Sequence, residues 1–196
     1  MIEAIIPSSQ PTHSDNGIDV QSGHLVYSVQ CSHRDANQIT SRCDPSQPVN
    51  VFLEISDDNA TLLGFSNQER RKLYKALRAI KGIGRSSALL VLDCGEINDI
   101  LRAAVGREHE FFQNVPGLGP TRIQAIIVDL ERKYRTALPA PLPISVTVWV
   151  EARDALNQYG FDNTNAELAL QTAIENNRFA DAETLVAAIL NQKLHP

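Results

Sequence analysis

Two short stretches of this sequence have the residue types and spacing to do the same chemistry. IKGIGRSSA (80–88) and VPGLGPTRI (115–123) each set two glycines around one apolar residue, Gly82-Ile83-Gly84 and Gly117-Leu118-Gly119, 35 residues apart. Glycine accepts positive φ without a Cβ clash, so the chain can reverse sharply there at the end of a helix. The apolar residue turns inward and pins the flanking helices. The amides after the turn open a new helix, where the first N–H groups lack intrahelical partners and the dipole end is positive by about half a charge. Such an end takes a phosphate and reads no base. The candidate phosphate contacts are the backbone at Gly82, Gly84, Gly117 and Gly119, with Arg85, Ser86, Thr121 and Arg122 as side-chain donors. The bland alternative is two αα-hairpin turns with glycine caps and no ligand. Other glycine chemistries fail on context. A dinucleotide fingerprint needs a preceding strand, and GIGRSS and GLGPTR lack the GK[ST] ending of a Walker A loop.

The charge distribution favours the phosphate reading. The chain of 196 residues has a net charge of −5, but residues 66–137 hold 13 basic and 8 acidic side chains, net +5. Residues 1–65 stand at −6 and residues 138–196 at −4. A basic central module lies between two acidic ones, and both glycine turns fall inside it.

The elements that must position these turns follow from periodicity. Before the module, GIDVQSGHLVYSVQ alternates around Ile18–Val20 and Leu25–Val29, with a hairpin turn at Ser22-Gly23. VNVFLEIS (49–56) alternates again and predicts Val51, Leu53 and Ile55 on one face, and ATLLGF (60–65) closes the region after SDDN. Five short strands with turns between them suggest a small barrel over residues 1–65. Helices are expected from SNQERRKLYKALRAI, with Ser66 as N-cap and Glu69 completing a capping box, then over SSALLVLD, INDILRAAV, REHEFFQ and TRIQAIIVDLERKY. These make a helical domain over 66–136. The proline-rich ALPAPLPIS predicts a stiff linker over 137–146. Residues 147–196 then read as three short amphipathic helices split at Gly160 and at Asn177–Phe179. The fold class expected is α+β multidomain.

A helix, a Gly-apolar-Gly turn and a second helix form a helix-hairpin-helix, and a tandem pair grips a duplex across its minor groove. Barrel, LLGFSNQERR, tandem hairpins, proline-rich linker and three-helix tail together resemble the RuvA family, the Holliday-junction-binding subunits of bacterial branch-migration complexes. The resemblance is most specific over LLGFSNQERRKLYKAL, IKGIGRSSALLVL and VPGLGPTRIQAIIVDLERKY; Tyr27 and Val29 also fit the family's barrel strands. It implies an OB-like barrel, a double helix-hairpin-helix domain and a tail bundle of the ubiquitin-associated type. It implies a homotetramer that opens a four-way DNA junction, a hexameric RuvB-type ATPase docked on the tail, and no catalysis or cofactor in this chain. It also implies an acidic pin at Asp57 and Asp58, where two carboxylates would repel phosphates at the junction centre; Asp-Asp-Asn is equally a good hairpin turn. The chain departs from the family in lacking lysines just after the hairpin glycines, in carrying Ile123 where a small residue is usual, and in a barrel with no lysine and only Arg34 and Arg42. A diverged paralogue acting as an interaction scaffold is the alternative these departures support.

The remaining features exclude more than they assign. No run approaches the length of a membrane span, no signal peptide opens the chain, and a cytoplasmic location is expected. Cys31, His33 and Cys43 match no zinc spacing, so no metal is expected. His109 reads as a solvated helix residue, and Trp149, Tyr159 and Phe161 as the core of the small tail or its docking surface. A helix-hairpin-helix glycosylase or nuclease would need a catalytic Lys or Asp well beyond the second hairpin, where only one helix and the linker follow.

Overall fold

The first 65 residues use one chain segment twice to close a sheet. A computed structural model describes residues 4–44, 46–56, 59–134, 144–176, 179 and 181–194. Strands β1 (Ala4–Ile5), β2 (Thr12–Ser14), β3 (Gly17–Ser22) and β4 (Leu25–Gln30) precede helix α1 (His33–Thr40), and β5 (Val49–Ser56) and β6 (Asn59–Phe65) follow it. The sheet order is β1-β5-β6-β4-β3-β2, antiparallel except for β4 beside β6. Its two end strands, β1 and β2, both belong to the single stretch 4–14. One end of that stretch pairs with β5 and the other with β3, so the sheet closes on itself as an OB-like barrel with its edges joined. Gly23 turns the β3–β4 hairpin at φ 62°. Ile5, Ile18, Val20, Val29, Ile39, Val49 and Val51 fill the interior.

Two features of the barrel go beyond the sequence reading. Along the β5 face expected to carry Val51, Leu53 and Ile55, Val51 is buried, Leu53 half-buried and Ile55 75% exposed. The strand serves two cores: its opposite face carries Phe52 and Glu54 toward the helical module. Helix α1 was not expected at all. Its signal is Ser32, whose hydroxyl accepts from the Asp35 amide at 3.1 Å, ahead of the buried Ala36 and Ile39.

Five helices form the central module: α2 (Gln68–Arg78), α3 (Arg85–Asp93), α4 (Ile97–Val105), α5 (His109–Gln113) and α6 (Pro120–Tyr134). The N-cap of α2 is Asn67, which accepts from the Arg70 amide at 2.9 Å, and not Ser66. Ser66 is drawn elsewhere, since its amide and hydroxyl both donate to Asp35 at 2.8 Å. One core runs from Leu63 and Phe65 of the barrel through Leu73, Leu77, Leu92, Ile100 and Phe112 to Ile126 and Leu130.

Arg70 and Asp35 join barrel and module. Both are fully buried, with Arg70 Nε donating to Asp35 at 2.8 Å. The guanidinium also donates to the Leu92 carbonyl at 2.7 Å, and more weakly to the Gly95 carbonyl and the Ser32 hydroxyl. One arginine thus satisfies a barrel carboxylate and the open carbonyl end of α3, which fixes the module's orientation on the barrel.

Three more helices, α7 (Val146–Gln158), α8 (Asn163–Asn176) and α9 (Ala182–Leu194), pack around Trp149, Leu156, Leu170 and Leu185. Gly160, at φ 87°, separates the first two. Residues 137–143 of the expected linker lie outside the described residues, as does most of the break expected at Asn177–Phe179. Among the described residues no helix is long and apolar enough to cross a membrane.

Candidate nucleic-acid interface

The two glycine turns are one geometry repeated. Gly82 lies at φ 87° and Gly117 at φ 76°, the left-handed region that a Cβ disfavours. The next residue is the apolar plug in each case, with Ile83 2% and Leu118 8% exposed. Each plug's amide closes the turn onto the residue three back, Ile83 onto Ile80 at 3.1 Å and Leu118 onto Val115 at 3.2 Å. Gly84 and Gly119 then accept the first helical bonds of α3 and α6, from Ala88 at 2.9 Å and Ile123 at 3.1 Å. No side chain caps the start of α3, and α6 opens with Pro120, which has no amide hydrogen to leave unpaired. A Cβ built on Gly82, Gly84, Gly117 or Gly119 meets nothing within 4 Å. The glycines therefore present bare backbone to open space, the requirement for close approach of a phosphate.

Each turn is braced by an arginine through a carbonyl. Arg78 donates to the Ile83 carbonyl at 2.7 Å, and Arg122 to the Gly117 carbonyl at 3.1 Å. The braces differ in what else they hold. Arg78 also donates to Glu54 of β5 at 2.9 Å, and this hydrogen bond raises its already high pKa. Tyr74 reaches the same carboxylate, and burial together with that charge pushes its phenol upward. Arg122 is exposed.

The structure sorts the remaining predicted site residues. Ser86, Thr121 and Arg122 are exposed beside their turns. Arg85 instead faces the barrel: it bonds Thr61 and lies 3.7 Å from Glu54. Glu54 and Thr61 are register partners on β5 and β6, so Arg85 grips a cross-strand pair. Two pairs further on, Ser56 opposite Asn59 closes the hairpin. Asp57 and Asp58 fall between them and lie outside the described residues.

Much of the module's positive charge has a partner within the chain, buried for Arg70 and at the surface for Arg107 and Arg132. Arg70 holds Asp35, Arg102 stacks on Trp149, Lys75 sits over Phe52, Arg107 pairs with Glu131 and Arg132 with Asp129. Lys81 is the cation that sequence reasoning missed. It is exposed, immediately precedes Gly82, and has no ion-pair or hydrogen-bond partner among the described residues. The signal was its position beside the turn, passed over in favour of the residues after it. In the barrel both arginines are spent: Arg34 pairs with Glu96 at 2.9 Å, and Arg42 donates to the Ser66 carbonyl at 2.6 Å.

The side features stay apart from the turns. His109 is exposed and lies 2.7 Å from Gln124 Oε1. Cys31 is buried and Cys43 exposed. Burial, reinforced by the charge of Asp35, pushes the Cys31 thiol up to about 12. Among the described residues no three His, Cys, Asp or Glu side chains converge on a metal-sized site.

Comparison with known proteins bears on these residues directly. A family model for a SAM-like helix-hairpin-helix tandem matches residues 74–132, which takes in both turns. Curated relatives named Holliday junction branch migration complex subunit RuvA match most of the chain, among them three from different organisms. That of Symbiobacterium thermophilum is 29% identical over 153 residues, 72% of this chain and 75% of its own length. That of Corynebacterium aurimucosum is 27% identical over 152 residues, 74% of this chain and 75% of its own. That of Gloeothece citriformis is 27% identical over 136 residues, 68% of this chain and 65% of its own, so the match spans just under two thirds of that relative.

Proposed function

The chain is RuvA-like, and from that premise we propose that it binds four-way DNA junctions as the non-catalytic subunit of a branch-migration complex. The observation that carries the reading is the matched pair of turns with open backbone at Gly82, Gly84, Gly117 and Gly119. Phosphates bind there through backbone amides, helped by Ser86, Thr121, Arg122 and Lys81. Arg85 acts from behind, holding the start of α3 against the barrel. Nothing in this set reads bases, so preference for a junction comes from symmetry and from a repulsive centre: four copies around the junction, each presenting Asp57 and Asp58. The three-helix tail docks a RuvB-type hexameric ATPase, which supplies the motor.

A second reading has its own support. With Arg34 and Arg42 committed internally, the barrel offers little positive charge to a duplex, as a scaffold paralogue without junction binding would. A gel-shift comparison of a four-way junction with a linear duplex of equal length, repeated across salt, separates the two. The junction reading predicts preference for the four-way structure, lost steeply with salt, and weakened by Gly82→Val or Gly117→Val. Asp57→Asn with Asp58→Asn narrows the gap between junction and duplex. Lys81→Ala lowers the salt slope by about 1, one phosphate contact. Absence of any shift at low salt leaves the scaffold.

A further inference from the structure

The tail bundle is not merely tethered; it is docked on the hairpin module by a contact with the makings of a latch. Arg153 of α7 makes a two-pronged bond to Asp99 of α4, at 3.2 and 2.8 Å, with both side chains buried, 3% and 1% exposed. Beside it the Arg102 guanidinium lies over the Trp149 ring, 5.4 Å from its centroid. A third contact sits at the start of α7, where the Glu108 carboxylate accepts from the Val146 amide at 3.0 and 2.8 Å. A carboxylate at a helix N-terminus is favoured by the dipole, here supplied across two bodies. Arg107, just before it, has φ 58°, the one non-glycine residue at positive φ among those described. With the Glu108 amide bonded back to Ala103 at 2.8 Å, this corner aims Glu108 at the tail.

We propose that this contact is a reversible latch that holds the tail closed on the hairpin module, with Asp99–Arg153 as its bolt. Three observations favour reversibility. Both members of the bolt keep a partner on their own body when it parts. Asp99 accepts from the Glu96 amide at 3.1 Å within the capping box of α4. Arg153 has Glu167 at 3.6 Å and Asp154 at 3.9 Å within the bundle. Two buried donors, Arg102 Nε and Trp149 Nε1, find no acceptor among the described residues, so opening hydrates groups that closing leaves unbonded. The contact also stops short of α1: although Val146 and Val150 of α7 pack against the module's core, a polar crevice of about 580 Å³ remains between helix α1 and the bundle, with His33, Arg34 and Gln38 on one wall and Asn157 and Glu167 on the other. A charged pair regains its hydration when it separates, whereas an all-apolar interface would not, so an ionic bolt suits a contact that must open.

The test does not depend on DNA or a motor. Trp149 is the sole tryptophan and is fully buried, with the Arg102 guanidinium on its ring. Acrylamide quenching of its fluorescence and small-angle scattering of the full-length chain report opening together. Arg153→Gln and the module-side Arg102→Ala are each expected to shift the closed-to-open ratio at least about tenfold, raising both quenching and the radius of gyration. Arg102 lies outside the bundle, so an opening seen with Arg102→Ala at unchanged far-UV circular dichroism is not bundle unfolding. Glu167→Gln, which removes only an own-body partner, should open nothing. The latch is overturned if neither Arg153→Gln nor Arg102→Ala changes quenching or size, or if the unmutated chain is already as extended as the variants.

Discussion

Two buried arginine–aspartate pairs join neighbouring bodies in this molecule, and they do it differently. Arg70–Asp35 lies between barrel and hairpin module, and Arg153–Asp99 between module and tail. Around the first, each polar group is used locally: Asp35 also receives the Ser32 hydroxyl and both donors of Ser66, and Arg70 turns its remaining donors to the Leu92 and Gly95 carbonyls and the Ser32 hydroxyl. Around the second, the arginine has spare carboxylates at hand, Glu167 and Asp154, that are 44% and 54% exposed. Burial alone would lower the Arg153 pKa, yet the hydrogen bonds and charge of Asp99 carry it above its usual value. The same two residue types thus make a weld where every alternative partner is sealed in, and a latch where alternatives wait at the surface. Burial of an ion pair does not by itself say which; the neighbouring acceptors do.

Breaking the weld should give the largest effect. Arg70→Met leaves Asp35 charged and buried, and is expected to lower unfolding stability by about 3–5 kcal/mol. Asp35→Asn should cost a similar amount, and denaturant titration followed by far-UV circular dichroism reads both. Arg153→Gln is expected to lower global stability by at most about 1–2 kcal/mol, because opening lets Asp99 meet water instead of staying buried unpaired. If the two variants cost the same, the distinction between weld and latch fails. Below these comes the start of α2. Asn67→Ala removes the cap and Ser66→Ala removes one of four donors to Asp35, each worth about 1 kcal/mol, and the two should couple rather than add, because Arg70 takes the cap through its amide and shares the Asp35 carboxylate with Ser66 through its side chain.

How much of this the sequence disclosed follows from the range of the interactions concerned. The turns at Gly82–Gly84 and Gly117–Gly119 were legible because a Gly-apolar-Gly reversal is local chemistry, and so were the helices on either side. The cap of α2 was misplaced by one residue because Ser66 and Asn67 both qualify locally. The choice was made by Asp35, 31 residues earlier. Arg85 had the right type and place for a phosphate contact, but Glu54 and Thr61 lie on strands that only the fold brings near. Neither Arg–Asp pair left any local trace, since their partners are 35 and 54 residues apart. Lys81 stood out only once the carboxylates of the described residues had been placed, none of them against it.

The smallest expected effect is read by labelling rather than by stability, and it sharpens the comparison most cheaply. Two cysteines sit beside the two joints. Cys31 adjoins the weld, next to Ser32 and near Asp35, and burial pushes its thiol up to about 12. Cys94 lies at the end of α3 in a half-buried site that it lines together with Val150 and Glu151 of α7; burial, then the charge of Asp93, pushes it up to about 11. Because the thiolate is the reactive form, both should resist a maleimide at pH 8 while exposed Cys43 reacts at once. Opening the latch draws α7 away from Cys94 and leaves Cys31 as it was. In Arg153→Gln, mass spectrometry of peptides after timed labelling should therefore show Cys94 accelerating and Cys31 unchanged. Acceleration at both sites would mean that the weld loosens with the latch and that module, barrel and tail open as one unit.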